Sequence, residues 1–450
     1  MHRIAIRTFS STSSSNLSEL CRDLSARGLV ENAYPSVADL AGLTPKLPDA
    51  AYAGFDPTAE SLHVGNLVVV NTLLRAALSG VRSVALVGGA TALIGDPAGK
   101  HADRPELAKD LVAENAGQLE QLLRRISSNT AEIYNRELPF TVVNNYEWYR
   151  DLSMIDFLRL ARAFRVGPML RLGHIKSRMK ETTDGAGLTF TEFSYQILQS
   201  RDWLVLAQRY GSFFQFGGSD QLGHLDAGAH YIKNVLKKPA AGICLPLITD
   251  AHGNKIGKST TSKGEAVWLS NRLTSPYSFY QYFRQQHDDI AEKLLVYFSL
   301  KSMTEISEVL EDHRAQKGKS IAQTALAEEL TTIVHGKEGL ELARRCSNVL
   351  FYGAIDDLKT LDASTLFSLF GSASTFTLPR NEVSTFGHLA DATRTDKNKG
   401  SQLMTKGAFR VNGKQYLDPS EKLSISDVTV AHGCSLISWG KRKFFLVKWT

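Results

Sequence analysis

Hydrophobic and polar positions alternate in register with two kinds of element along the first third of the chain. Ala51 to Phe55 is a short apolar run that predicts a strand, and Asp56 to Ser61, with Pro57, predicts a turn-rich loop. Leu62 to Leu78 then reads as a helix closed by Gly80, and Val84 to Val87 as a buried strand ending at Gly88 and Gly89. Strand, helix and strand in this order predict a parallel sheet, whose ligands lie at the carboxyl ends of its strands. Between Tyr277 and Leu378 there is no proline, and Leu326, Leu330, Ile333 and Val334 recur at helical spacing, so an all-helical segment is expected there. After Pro379 the pattern becomes basic and Gly-punctuated, with Asn412-Gly413 as a hairpin turn. A small α+β unit is expected at that end.

At 450 residues the chain exceeds one ordinary core, which excludes a single small binding module. Its 43% hydrophobic and 22% charged residues exclude a disordered or fibrous class. The longest apolar stretch, Leu67 to Val81, is broken by Asn71, Thr72 and Arg75, so no membrane span is expected. Cys21, Cys244, Cys346 and Cys434 have no zinc-site spacing and read as free thiols of a reducing compartment. The net charge is +6, and its location matters more than its size. Thr393 to Thr450 holds eleven Lys or Arg against four Asp or Glu, which leaves the rest of the chain near neutrality and puts any basic partner surface at the C-terminus. Met1 to Asn16 carries Arg3, Arg7 and a Ser-rich run, while the first acidic residue is Glu19; this is the composition of an organelle transit peptide rather than of a domain.

Candidate chemistry lies in the loops after the strands. His63 and Asn66 fall in the first turn of the helix, after Asp56 and Thr58, where unpaired backbone N–H groups favour an anion. Taken alone, His63 reads first as a capping or packing residue. Far along the chain, Lys255-Ile-Gly-Lys258-Ser259 forms a Gly-containing basic loop after the strand-like Ile243 to Thr249. Tyr195, Gln199 and Asp202 share one face of a helix otherwise flanked by Phe193, Ile197, Trp203 and Leu204. A solvent-facing polar stripe is the plain alternative for that spacing.

Together the His63 and Lys255–Lys258 segments resemble the two signature sequences of class I aminoacyl-tRNA synthetases. Tyr52-Ala-Gly54-Phe-Asp56-Pro-Thr58, Ala85 to Lys100, Thr191 to Gln199 and Gln215-Phe-Gly-Gly218-Ser-Asp220-Gln221 resemble the tyrosyl-tRNA synthetases of bacterial and mitochondrial type. The likeness is dense through the catalytic region and thin after about Phe351.

The resemblance implies an α/β fold: a transit peptide at 1–16, a Rossmann-type parallel-sheet catalytic domain at 17–270, an all-helical domain at 271–355, a linker at 356–378 and an S4-like RNA-binding domain at 379–450. It implies that Asp96, Tyr195 and Gln199 hold the ammonium of L-tyrosine, that Tyr52 and Asp202 bind its hydroxyl, and that Gln221 lies near its carboxylate. Gly54, Asp56, Gly218 and Asp220 fall to the ATP nucleoside. Thr58, His63, Lys100, Arg104, Lys255 and Lys258 fall to the phosphates.

Two positions depart from the family pattern. Asn66 replaces the second signature histidine, keeping an N–H donor without a positive charge. Ser401 stands where the S4-like module commonly has Arg. The implied substrates are L-tyrosine, ATP with Mg2+, and tRNA(Tyr), with no tightly bound cofactor, in a homodimer of the mitochondrial matrix without membrane attachment. Alternatives are a tryptophanyl-tRNA synthetase, or a noncatalytic RNA-binding protein descended from a synthetase.

Overall fold

The computed structural model describes residues 15–97, 107–171, 175–176, 179, 188–248, 266–351, 363–370, 374–394, 400–440 and 443–450. The chain divides into two compact units, Met1–Thr249 with Lys293–Glu308, and Asp250–Glu292 with Val309–Thr450. Among the described residues no helix is long and apolar enough to cross a membrane.

The first unit is built on six strands: β1 (Asn32–Tyr34), β2 (Ala50–Phe55), β3 (Arg82–Val87), β4 (Phe140–Asn144), β5 (Phe214–Gly218) and β6 (Ala241–Leu245). Their order is β1-β6-β5-β2-β3-β4, all neighbours being parallel except the β1–β6 edge pair. Central strands covered on both faces need apolar side chains throughout, which is why β3 is buried from Ser83 to Val87 and β6 from end to end. The expected strand, helix and strand are present as β2, the helix Val64–Leu78 and β3. That helix buries residues on nearly every side, and even its polar Asn71 and Arg75 are enclosed, donating to the carbonyls of Phe298 and Ser299 at 2.7 Å each. From β2 the strand order runs to β3 and β4 on one side and to β5 and β6 on the other. The carboxyl ends of β2 and β5 therefore flank the point where the order reverses, the place at which open α/β sheets bind ligands.

In the second unit, Leu326, Leu330, Ile333 and Val334 are fully enclosed on the first of the two helical stretches of Ile321–Phe351, which is kinked at the left-handed Gly336, as their spacing requires. A second sheet has the order β7-β11-β10-β8-β9, from β7 (Thr375–Leu378), β8 (Phe409–Val411), β9 (Lys414–Gln415), β10 (Cys434–Trp439) and β11 (Lys443–Trp449). Asn412 and Gly413, with φ of 47° and 78°, make the β8–β9 turn in the left-handed conformation that Asn-Gly favours. The stretch 356–378 carries more than a connection: it holds the helix Ala363–Phe370 and β7, which pairs in parallel with β11. Leu366 and Phe370 join Tyr277, Cys346, Cys434, Leu436 and Leu446 in one apolar cluster. The helical segment and the basic C-terminal sheet thus share a core. Composition hid this, because the apolar run at 363–370 is short and follows the charged Asp356, Asp357, Lys359 and Asp362. All four cysteines are buried thiols.

Candidate active site

Asp56, just past β2, receives two hydroxyl donors. Thr91 Oγ1 donates to its Oδ1 at 2.7 Å and the Tyr195 hydroxyl to its Oδ2 at 2.8 Å. Gly88, at the end of β3, makes this possible: a Cβ there would lie 1.9 Å from Asp56 Oδ1 and 2.4 Å from Thr91 Oγ1. Gly54, one residue before the end of β2, is exposed, and a Cβ on it would meet nothing within 4 Å. Backbone there faces open space at the switch point.

His63 is the N-cap of the helix Val64–Leu78. Its Nδ1 accepts the Gly65 N–H at 3.0 Å, and Asn66 Oδ1 accepts the His63 N–H at 3.1 Å. An Nδ1 that accepts assigns the ring proton to Nε2, so the outward edge of the imidazole is a donor. The capping and anion-binding readings of His63 are therefore compatible, since the cap uses Nδ1 and the donor is Nε2. Thr58 is exposed in the preceding loop, its N–H bonded to the Asp56 carbonyl at 2.8 Å.

The helix Phe190–Tyr210 turns its polar stripe inward. It starts with a capping box of Thr189 and Glu192 and ends at the left-handed Gly211. Tyr195 is 6% and Asp202 2% exposed, so the solvent-stripe alternative does not hold. Asp202 Oδ1 accepts from Trp148 Nε1 at 2.8 Å and its Oδ2 from Asn145 Nδ2 at 3.0 Å. Burial pushes the Asp202 carboxyl up to about 7, against the opposing pull of the Asn145, Trp148 and Tyr149 donors. The Tyr52 hydroxyl lies in the same enclosed region and donates to Gln215 Oε1 at 2.8 Å, its β2–β5 cross-strand partner. Burial and then the negative charge of Asp202 raise the Tyr52 phenol well above its ordinary value.

One turn before Asp202, Gln199 Nε2 donates to Gln221 Oε1 at 3.1 Å. Gln221 Nε2 in turn lies 2.9 Å from Asp96 Oδ2 and 3.3 Å from Asp220 Oδ1. Gln199 Oε1 is buried with no hydrogen-bond partner among the described residues. A buried acceptor left in this state costs free energy until a donor arrives. Gly218 and Asp220 sit at the carboxyl end of β5, half-buried and exposed respectively.

Thus Tyr195, Asp56, Thr91, Asn145 and Asp202 are joined by hydrogen bonds, as are Gln199, Gln221, Asp96 and His224, while Tyr52 bonds Gln215; after burial itself, the charges of Asp56, Asp96 and Asp202 raise the Tyr195 phenol. Lys100, Arg104, Lys255 and Lys258 lie outside the described residues. Sequence reasoning missed Thr91, Asn145, Trp148 and His224, and it quoted Gln215 without giving it a role.

The family described as tRNA synthetases class I (W and Y) matches residues 46–352. The chain is similar to the mitochondrial tyrosine–tRNA ligase of Drosophila melanogaster, with 38% identity over 95% of this chain and 94% of the relative. It is similar also to the tyrosine–tRNA ligase of Lactococcus lactis subsp. cremoris, with 36% identity over 94% and 98%. Among solved structures it resembles a C-terminally truncated mitochondrial tyrosyl-tRNA synthetase of Aspergillus nidulans, with a TM-score of 0.65 and 28% identity, covering 74% of this chain and 94% of that one.

Proposed function

The chain belongs to the class I tRNA synthetases of the tryptophan and tyrosine family, and within that family we propose that it activates L-tyrosine with ATP and charges tRNA(Tyr) in mitochondria. Full-length likeness to tyrosine–tRNA ligases favours tyrosine over tryptophan and a catalyst over an RNA-binding descendant. The observation that carries the substrate reading is the placement of two acceptors one turn apart on the helix Phe190–Tyr210: the ionisable Asp202, and Gln199 Oε1 awaiting a donor. Asp202 and Tyr52 take the phenol hydroxyl, while Gln199, Tyr195 and Asp96 take the ammonium. Phenylalanine would leave the enclosed hydroxyl acceptors unpaired, the discrimination for which tyrosine-specific synthetases are the standard example.

Tyrosine's carboxylate is already an ionised nucleophile at neutral pH, so no general base is needed. The protein's task is to hold that carboxylate in line with the α-phosphate and to neutralise charge growing on pyrophosphate. Gln221 lies beside the carboxylate. Gly54, Asp56, Gly218 and Asp220 hold the nucleoside, Gly54 by letting ATP approach the backbone. His63 through Nε2–H, with Thr58, Asn66, Lys100, Arg104, Lys255 and Lys258, serves the phosphates, and Mg2+ enters with ATP as the substrate complex.

The enzyme works in the mitochondrial matrix as a homodimer, and its basic segment 379–450 engages the tRNA. Dimerisation is supported by the helix Met154–Ala161, which has no buried residue and presents Met154, Ile155 and Leu158 at 71%, 60% and 52% exposure. ATP–pyrophosphate exchange with tyrosine, tryptophan and phenylalanine in turn tests the assignment. Exchange with tyrosine alone is expected; exchange with tryptophan, or with none, overturns it.

A further inference from the structure

His224 lies in the first turn of the helix Leu222–Leu236, three residues after Gln221. Its side chain is 0% exposed, and its Nε2 is 3.3 Å from Asp96 Oδ1. The opposite oxygen, Oδ2, takes the Gln221 amide at 2.9 Å. Asp96 itself stands on backbone that is neither helix nor strand, so its own element does not orient its carboxylate. His224 and Gln221, at the start of one helix, each hold one of its oxygens. The imidazole is in turn set against the Tyr195 ring, with centroids 5.6 Å apart and planes inclined by 57°. An ionised carboxylate only accepts, so the His224 nitrogen facing it carries the proton. Pairs of this kind gain strength when enclosed, because neither water nor salt competes for them.

We propose that His224 is a positioning residue for amino-acid recognition, holding Asp96 in the orientation in which that carboxylate receives the substrate ammonium. This rests on the assignment of Asp96 to the ammonium. Without His224 the carboxylate loses the contact that holds Oδ1, and the cost falls on ligands that bring an ammonium.

Three variants, His224→Leu, His224→Gln and Asp96→Asn, with two competitive probes of tyrosine-dependent pyrophosphate exchange, test this. Tyramine carries the ammonium and the phenol; 3-(4-hydroxyphenyl)propionate carries the phenol and carboxylate but no ammonium. His224→Leu is expected to raise the tyrosine KM and the tyramine inhibition constant about tenfold, the loss of one charge-assisted hydrogen bond, with kcat nearly unchanged. The inhibition constant of 3-(4-hydroxyphenyl)propionate should stay where it is, and His224→Gln, which keeps an N–H donor, should recover most of the loss. Equal weakening of both probes in His224→Leu, or no weakening of either, overturns the proposal. Should Asp96→Asn fail to weaken tyramine selectively, the Asp96 assignment falls instead. Selective weakening in Asp96→Asn with none in either His224 variant removes His224 alone. Should His224→Leu not fold, His224→Gln decides by whether its tyramine constant shifts relative to that of 3-(4-hydroxyphenyl)propionate: a selective weakening supports the proposal, and equal constants overturn it.

Discussion

The indole N–H of Trp148 donates to Asp202 Oδ1 at 2.8 Å, an enclosed donor holding a carboxylate in a place where burial favours its neutral form. With Asp202 proposed as the acceptor of the phenol, the raised value, about 7 against an ordinary 3.8, should make tyrosine recognition pH-dependent near neutrality. Only ionised Asp202 offers a charged acceptor to the phenol, so kcat/KM for tyrosine should rise with pH to a plateau above about 7. Trp148→Phe removes a donor that stabilises the charged form and should move the midpoint upward, seen in exchange assays from about pH 5.5 to 8.5. A midpoint unmoved by Trp148→Phe would show that another group titrates. For folding the sign is opposite to that of a salt-bridged carboxylate. Between 3.8 and about 7 the folded chain holds a proton that the unfolded chain has released, so this group's contribution to stability declines as pH rises through that window.

Contacts such as Trp148 to Asp202 mark the limit of what the sequence makes legible. β2, its following helix and β3 are readable because central parallel strands and a helix enclosed on most sides are near-continuous apolar runs. The inward stripe of Tyr195, Gln199 and Asp202 is readable as a stripe, but its direction is set by packing. Nothing in spacing brings Asn145 and Trp148, 57 and 54 residues away, onto Asp202. His224 carried a faint signal, following the Gly218 to Gln221 run by three residues, yet a lone histidine on a helix ordinarily reads as packing. The segment 356–378 misled for a related reason, because β7 is a strand only by virtue of its pairing with β11.

Gly88→Ala should damage the part of the site proposed to hold the nucleotide. The added Cβ would fall on Asp56 Oδ1 and Thr91 Oγ1, so the Asp56–Thr91 bond must open or the backbone must shift. Overpacking of this kind costs about 1–3 kcal/mol, read as a lowered denaturation midpoint. The ATP KM should rise more than the tyrosine KM. Unchanged kinetics would mean that Asp56 does not depend on this clearance.

Asn66 allows capping and phosphate roles to be separated. Asn66→Ala deletes the acceptor of the His63 N–H and should cost about 1 kcal/mol of stability together with some kcat. Asn66→Asp keeps the acceptor, and its charge suits a helix N-terminus, so stability should hold or rise. The same charge opposes phosphate, so adenylation should slow in the more stable variant. A fast Asn66→Asp enzyme would place position 66 away from the phosphates.

Leu158→Asp should disrupt self-association. The Met154–Ala161 helix presents an apolar face that the described residues of its own chain leave exposed, and a charge on that face should shift the sedimentation profile toward monomer. The circular-dichroism spectrum should not change, because Leu158 is not part of the core. An unshifted profile would move the dimer surface elsewhere.

The basic C-terminal surface is best tested by point changes, because the fold rules out the simple cut. Ending the chain at Leu378 would leave β7 without β11 and would strip Leu436 and Leu446 from the cluster that also holds Tyr277 and Leu366. Poor tRNA charging by such a fragment would then report unfolding as readily as a missing RNA surface. Lys406, Arg410 and Lys414 are exposed on and beside the β8–β9 hairpin, and none belongs to a core. Changing all three to Ala should leave tyrosine-dependent pyrophosphate exchange at the parental rate, because every residue assigned to the chemistry lies before position 260. If their charges neutralise tRNA phosphates, affinity should fall and the logarithmic dependence on salt should become shallower by about 0.7–0.9 for each phosphate no longer neutralised. Both quantities come from one tRNA titration repeated across salt concentrations. The plain alternative is that these side chains only keep the surface hydrated. In that case the triple variant would bind tRNA with the same affinity and the same salt slope, and the RNA surface would have to be sought away from this hairpin.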